Sequence, residues 1–170
     1  MIGQDQLFIH GIKPAYLASK KQPGFEELTH SYPWLDLSYV SRKNGGLWEQ
    51  RLFFQHENQK QLFIKRGLVQ NQQIPYDEGV LGIFLGFPPK AVIYHQKGIK
   101  ESERIGIDYH GMGFVCHEKH VVYCIKFLKK HMPVPEHLIQ QYRSSIEIDR
   151  IIDGKFQKAT LLKKWQKVVQ

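Results

Sequence analysis

The segment from Ile74 to Lys90 sets the narrowest limits on how this chain can fold. Pro75 and the acids after it are typical of a helix N-terminus, and Gly86 with two following prolines is typical of its end. Each glycine in a helix costs up to about 1 kcal/mol relative to alanine. Three of them share one helical face here, Gly79, Gly82 and Gly86. We expect that face either to allow close approach of another helix or strand or to face a ligand.

The rest of the chain predicts a single-domain α+β fold over residues 1–150, with a small antiparallel sheet of about four strands covered by helices. Its 170 residues, 42% of them hydrophobic, are enough for one packed core. Alternating apolar residues, with an Asn44-Gly45 turn in the first pair, predict strands near 35–42, 47–55, 104–109 and 112–116. Helical spacing predicts helices near 57–68, 89–97, 117–130 and 135–145, before a linker at 149–154.

Residues 151–170 are predicted to be a basic amphipathic C-terminal element, with a helix over 156–169. Five lysines against one aspartate give this element +4 of the net charge of +8. Three roles stay open for the helix: packing on the domain, binding a protein partner or a second copy of the chain, or lying on an anionic surface. The residues predicted to bind a partner are Lys163, Lys164, Trp165 and Lys167.

Sulfur and imidazole groups supply the candidates for chemistry, and no particular cofactor is indicated. The possible metal ligands are His110, Cys116, His117, His120 and Cys124. No metal is favoured, because no C-x-x-C pair anchors the group and Cys124 also fits the apolar face of its helix. As a catalytic candidate, Cys116 could act as a nucleophile with His110 or His120 as its base. The two cysteines are predicted to lie too far apart to bridge easily.

The turn from Asp108 to Gly113 separates two predicted strands and carries His110. Two readings stay open for its function: Asp108 and His110 as an acid–base pair, or backbone amides that bind phosphate. Glycine in a short connection favours a plain β-turn with an exposed histidine.

The stretch from Glu78 to Val92 resembles a family of short bacterial proteins known only as a domain of unknown function. The similarity is carried by an acidic residue before Gly79, then the run Gly82-Ile83-Phe84-Leu85-Gly86-Phe87-Pro88, and a helix start at Lys90-Ala91-Val92. The segment Gly11 to Leu17 is also similar. The resemblance implies a bacterial protein and brings no established activity.

The sequence favours a non-catalytic binding or regulatory protein of the cytoplasm, with a basic surface for an anionic or protein partner. The alternative is a metal- or cofactor-dependent enzyme centred on His110, Cys116 and His120. Nucleic acid remains a candidate partner but is not favoured, because basic charge reports a field and not a site. No signal peptide is visible, and the longest apolar run, residues 79–89, is too short for a transmembrane segment.

Overall fold

The computed structural model describes residues 2–98, 103–152, 155–157 and 165–169. The chain is α+β, as predicted, with antiparallel sheets and helices in one polypeptide. Backbone contacts divide it into two compact units. We call Met1–Ile12 with Phe87–Gln170 the split unit, and Lys13–Gly86 the continuous unit. No helix in the described ranges is both long enough and apolar enough to cross a bilayer.

The helices found in these ranges are, in chain order, α1 (Gln4–Ile9), α2 (Phe25–Ser31), α3 (Glu57–Gly67), α4 (Glu78–Phe84), α5 (Pro89–Gln96), α6 (Val121–His131), α7 (Glu136–Tyr142) and α8 (Gln166–Val169). The strands are β1 (Ala15–Ser19), β2 (Trp34–Asp36), β3 (Tyr39–Val40), β4 (Leu47–Trp48), β5 (Gln50–Phe54), β6 (Arg104–Tyr109), β7 (Met112–His117), β8 (Ile146–Ile152) and β9 (Lys155–Gln157).

A four-stranded antiparallel sheet in the order β7-β6-β8-β9 organises the split unit. A two-residue turn joins β6 to β7, and both of its residues, His110 and Gly111, have positive φ angles of 52° and 94°. This is the geometry that a tight hairpin with right-handed twist needs. Ile105 and Ile107 of β6 belong to one buried cluster with the apolar stripe of α6, which is Val121, Cys124, Ile125 and Leu128.

The continuous unit contains a three-stranded sheet, β1-β5-β2, and a separate two-stranded ribbon, β3-β4. The rings of Phe54 of β5, Phe63 of α3 and the half-buried Phe84 of α4 pack 5.1 to 6.4 Å apart in its core. The carboxylate of Asp77 caps α4 by accepting a hydrogen bond of 2.9 Å from the Val80 amide. Both units therefore have their own apolar cluster.

The four predicted strands do not form one sheet, which corrects our expectation. The strands of residues 34–54 pair in the continuous unit, whereas β6 pairs on its second edge with β8. The predicted linker at 149–154 is also wrong, because β8 extends from Ile146 to Ile152. Ile146 and Ile148 are buried and Glu147 is exposed, an alternation that was readable in the sequence.

The C-terminal helix predicted over 156–169 is wrong at its start, because Lys155–Gln157 is a strand paired with the edge of β8. An open strand edge presents amide and carbonyl groups that need partners, and this pairing supplies them. In the described residues, helix α8 begins only at Gln166. Lys163 and Lys164 lie outside the described residues.

Candidate functional site

The hairpin of β6 and β7 separates the histidines that the sequence grouped together. His110 lies in the turn at one end, whereas His117 pairs with Arg104 at the other end and His120 follows in the next turn. Cys116 is four residues beyond the start of β7, roughly 14 Å along the strand at 3.4 Å per residue. His110 is therefore distant from the other members of the predicted centre.

His110 is buried rather than exposed, which corrects the turn prediction. Its Nδ1 lies 3.1 Å from the Ser144 hydroxyl, and its amide donates to the Ser145 carbonyl. Burial lowers the pKa of His110, and the charge of Asp108 opposes this shift while that of Lys129 adds to it. The Asp108 carboxylate itself accepts a hydrogen bond of 2.6 Å from the Gly111 amide. These contacts hold the turn against the start of β8.

Cys116 and Cys124 are both fully buried free cysteines in the same apolar cluster. Cys116 lies in β7 and Cys124 in α6, so the two are not spaced along one helix. Interaction with the neighbouring Cys124 thiol, together with burial, raises the pKa of the Cys116 thiol. A protonated thiol is a poor nucleophile and a poor metal ligand. Within the described residues, no three His, Cys, Asp or Glu side chains are grouped to hold a metal ion.

We expect both thiols to be protected in the folded protein. A disulfide reagent such as DTNB at pH 8 should react with them only as fast as the chain opens, because neither sulfur is exposed and Cys116 stays protonated. The same titration in concentrated urea should release two equivalents rapidly. Fast reaction of one native thiol would contradict this account, and a Cys116→Ala variant would show which sulfur reacts.

The other end of the hairpin carries a polar surface built from α5, β7 and the turn of 3-10 helix at Glu118–His120. The His117 Nε2 donates to a Glu103 carboxylate oxygen 3.0 Å away, and its Nδ1 accepts a hydrogen bond of 3.2 Å from the Lys119 amide. Both ring nitrogens are thus occupied, which fixes the ring beside Tyr94 at a centroid distance of 5.5 Å.

His120 lies on this surface among other basic groups. Partial burial lowers the pKa of His120, and the charges of Lys90, Lys119 and His117 lower it further. The Lys90 ammonium lies 4.5 Å from the centre of the Tyr123 ring, and the rings of His117 and His120 are 5.9 Å apart. We call the set Lys90, His117, Lys119 and His120 the His120 surface.

The nearby carboxylates are already engaged. Glu103 pairs with His117, and Glu118 lies 3.4 Å from Arg150. In the part of the chain that the structure describes, neither Lys90 nor Lys119 has a carboxylate within 4 Å. Lys90 and Lys119 of the His120 surface therefore present their positive charges to solvent. Sequence reasoning named His117 and His120 but missed Lys90, which lies thirty positions away and reaches them only through the fold.

The predicted glycine face and the predicted C-terminal partner residues do not belong to the His120 surface. Gly79 is buried, Gly82 is half-buried and α4 packs against α3, which supports the packing role. Gly86 has a φ of 85°, so its backbone conformation alone favours glycine.

Of the C-terminal residues predicted to bind a partner, Trp165 is only 3% exposed in the core of the split unit, which leaves it unavailable to a partner. Lys167 is exposed.

Comparison of the whole chain with models of protein families, with curated proteins and with solved structures gives no match. The resemblance of residues 78–92 to a bacterial domain of unknown function therefore stays a prediction.

Proposed function

We propose that this protein is a non-catalytic binding module whose His120 surface docks an anionic partner. The observation that supports this most directly is the grouping of Lys90, Lys119 and His117 around His120, close enough that their charges add to the lowering of its pKa by partial burial. Like charges placed together are unfavourable unless a counter-charge arrives, so the surface is better matched to an anion than to water alone.

The composition agrees with this proposal, because 24 lysines and arginines outnumber 16 acidic residues. Two half-buried aromatic rings at the same place, Tyr94 and Tyr123, lie beside the charges. The partner class is a phosphate- or carboxylate-rich macromolecule. The alternative, an enzyme centred on His110, Cys116 and His120, has no contact that joins these three side chains to support it.

A polyanion column tests the proposal. A chain with Lys90→Ala and Lys119→Ala should elute from heparin at clearly lower salt than wild type, since it removes two neighbouring charges from one contact area. The matched control is Lys97→Ala with Lys130→Ala, which removes the same charge from two exposed positions of the same unit, Lys97 at the end of α5 and Lys130 in α6. Equal elution of the two double variants would show that net charge, and not this surface, governs binding.

A further inference from the structure

The β3-β4 ribbon of the continuous unit exposes large apolar side chains to solvent. Tyr39 pairs with Trp48, and Val40 pairs with Leu47. Val40, Leu47 and Trp48 are 56%, 63% and 53% exposed. A ribbon of two two-residue strands gains little stability from its own packing. A cluster of exposed apolar side chains on it is therefore typical of a binding surface.

The aromatic side chains of the ribbon form a row that leads outward from the core. The buried Tyr76 ring meets Tyr39 edge-on at 6.5 Å, and Tyr39 lies nearly parallel to Trp48, with 7° between the ring planes and 6.4 Å between centroids. Tyr39 thus stacks on Trp48 and is itself in contact with the buried Tyr76. Because half of its surface is exposed, Trp48 offers a flat aromatic surface to solvent.

The turn that closes the ribbon is held by backbone hydrogen bonds and carries two cations. The Ser41 amide donates to the Gly46 carbonyl at 2.9 Å, and the Gly45 amide donates to the Ser41 carbonyl at 2.8 Å. Arg42 and Lys43 are exposed at this tip. Residues 37–48 contain no aspartate or glutamate, and the next carboxylate, Glu49, lies 3.0 Å from the Lys20 ammonium.

We propose that this ribbon binds single-stranded nucleic acid. A base stacks on the exposed face of Trp48 and extends the Tyr39–Trp48 row, while Arg42 and Lys43 bind the neighbouring phosphates. The tip lies about 10 Å from Trp48 along the strands, at 3.4 Å per residue, which long basic side chains can span. A membrane partner would require apolar residues at the tip, whereas this tip is charged and its apolar groups lie behind it.

Binding of a fluorescently labelled oligothymidine, followed by anisotropy at low salt, tests the inference. Trp48→Ala should weaken binding about tenfold through loss of one stacked base, and Trp48→Phe should restore much of it because a ring is retained. Arg42→Ala with Lys43→Ala should reduce the slope of log affinity against log salt by roughly 1.4, since about 0.7 is expected per phosphate contact on a single strand.

Matched controls come from α3 of the same unit. Leu62→Ala removes an apolar side chain that is 42% exposed, and Lys65→Ala with Arg66→Ala removes two exposed cations. Both should leave binding near the wild-type value. Three results would each overturn the inference: no binding by wild type, equal losses in ribbon and control variants, or equal competition by a duplex of the same length. A circular dichroism spectrum unchanged by Trp48→Ala excludes unfolding as the cause. The chain with Lys90→Ala and Lys119→Ala should still lose about tenfold in affinity when Trp48→Ala is added, which separates the ribbon from any binding of the oligonucleotide by the His120 surface.

Discussion

Raising the pH from 7 to 10.5 is expected to increase the free energy of unfolding of the wild-type chain relative to a Lys13→Met chain. Lys13 is 0% exposed, and burial lowers the pKa of its ammonium from 10.5 to about 7. The shift of 3.5 pH units corresponds to an upper limit on the order of 5 kcal/mol, at about 1.36 kcal/mol per unit.

The sign follows from proton binding. Between pH 7 and 10.5 the unfolded chain holds the lysine proton and the folded chain does not, so unfolding takes up a proton and becomes harder as pH rises. Below pH 7 both states are protonated, so Lys13 no longer makes the stability depend on pH. Burial also raises the pKa of Tyr109 to about 12, which acts in the opposite direction near pH 10. Only the difference between wild type and variant therefore isolates Lys13.

Urea unfolding of both chains at intervals from pH 6.5 to 10.5 measures this difference. The control is Lys65→Met, which removes an exposed lysine of α3 and should give a curve parallel to wild type. A Lys13→Met curve that is also parallel to wild type would mean that the Lys13 ammonium keeps an ordinary pKa, and the assigned burial would then be wrong.

The periodic spacing of apolar residues was enough to predict the helices and strands that bury one face along their length. The α6 stripe of Val121, Cys124, Ile125 and Leu128 is buried as its 3.6-residue spacing requires. The hairpins at 34–54 and 104–117 also form where alternation and turn residues place them. These features depend on neighbours in sequence, so the sequence alone contains the information.

Pairing partners distant in sequence were not predictable in the same way. Lys155–Gln157 had helical spacing with the residues after it, yet the open edge of β8 recruits it as a strand, because tertiary pairing overrides a weak local preference. The candidate site could not be predicted in full for the same reason. His117 and His120 were visible as titratable residues, but the charge that Lys90 brings to them depends on how α5 packs against β7.

The second large effect is expected at Gly111, where alanine should reduce the free energy of unfolding by about 2–4 kcal/mol. Gly111 has a φ of 94° in the β6-β7 turn, a region that residues with a side chain rarely adopt. A Cβ added there would also collide with the backbone carbonyl of Ile2. Backbone cannot move aside as a flexible side chain can, so either the turn or the N-terminal segment must shift.

Two further variants separate the causes of that loss in urea unfolding. Gly113→Ala is the control, because Gly113 is exposed in β7, has no positive φ and would place its Cβ in open space; it should change stability by less than about 1 kcal/mol. Gly111→Asn tests the collision, since asparagine tolerates positive φ but keeps the Cβ. If asparagine recovers the wild-type stability, the dihedral angle is the whole cause and close contact with Ile2 is refuted. Continued instability would show that Ile2 packs directly over the turn, which is how a segment at the N-terminus becomes part of a hairpin more than a hundred residues away.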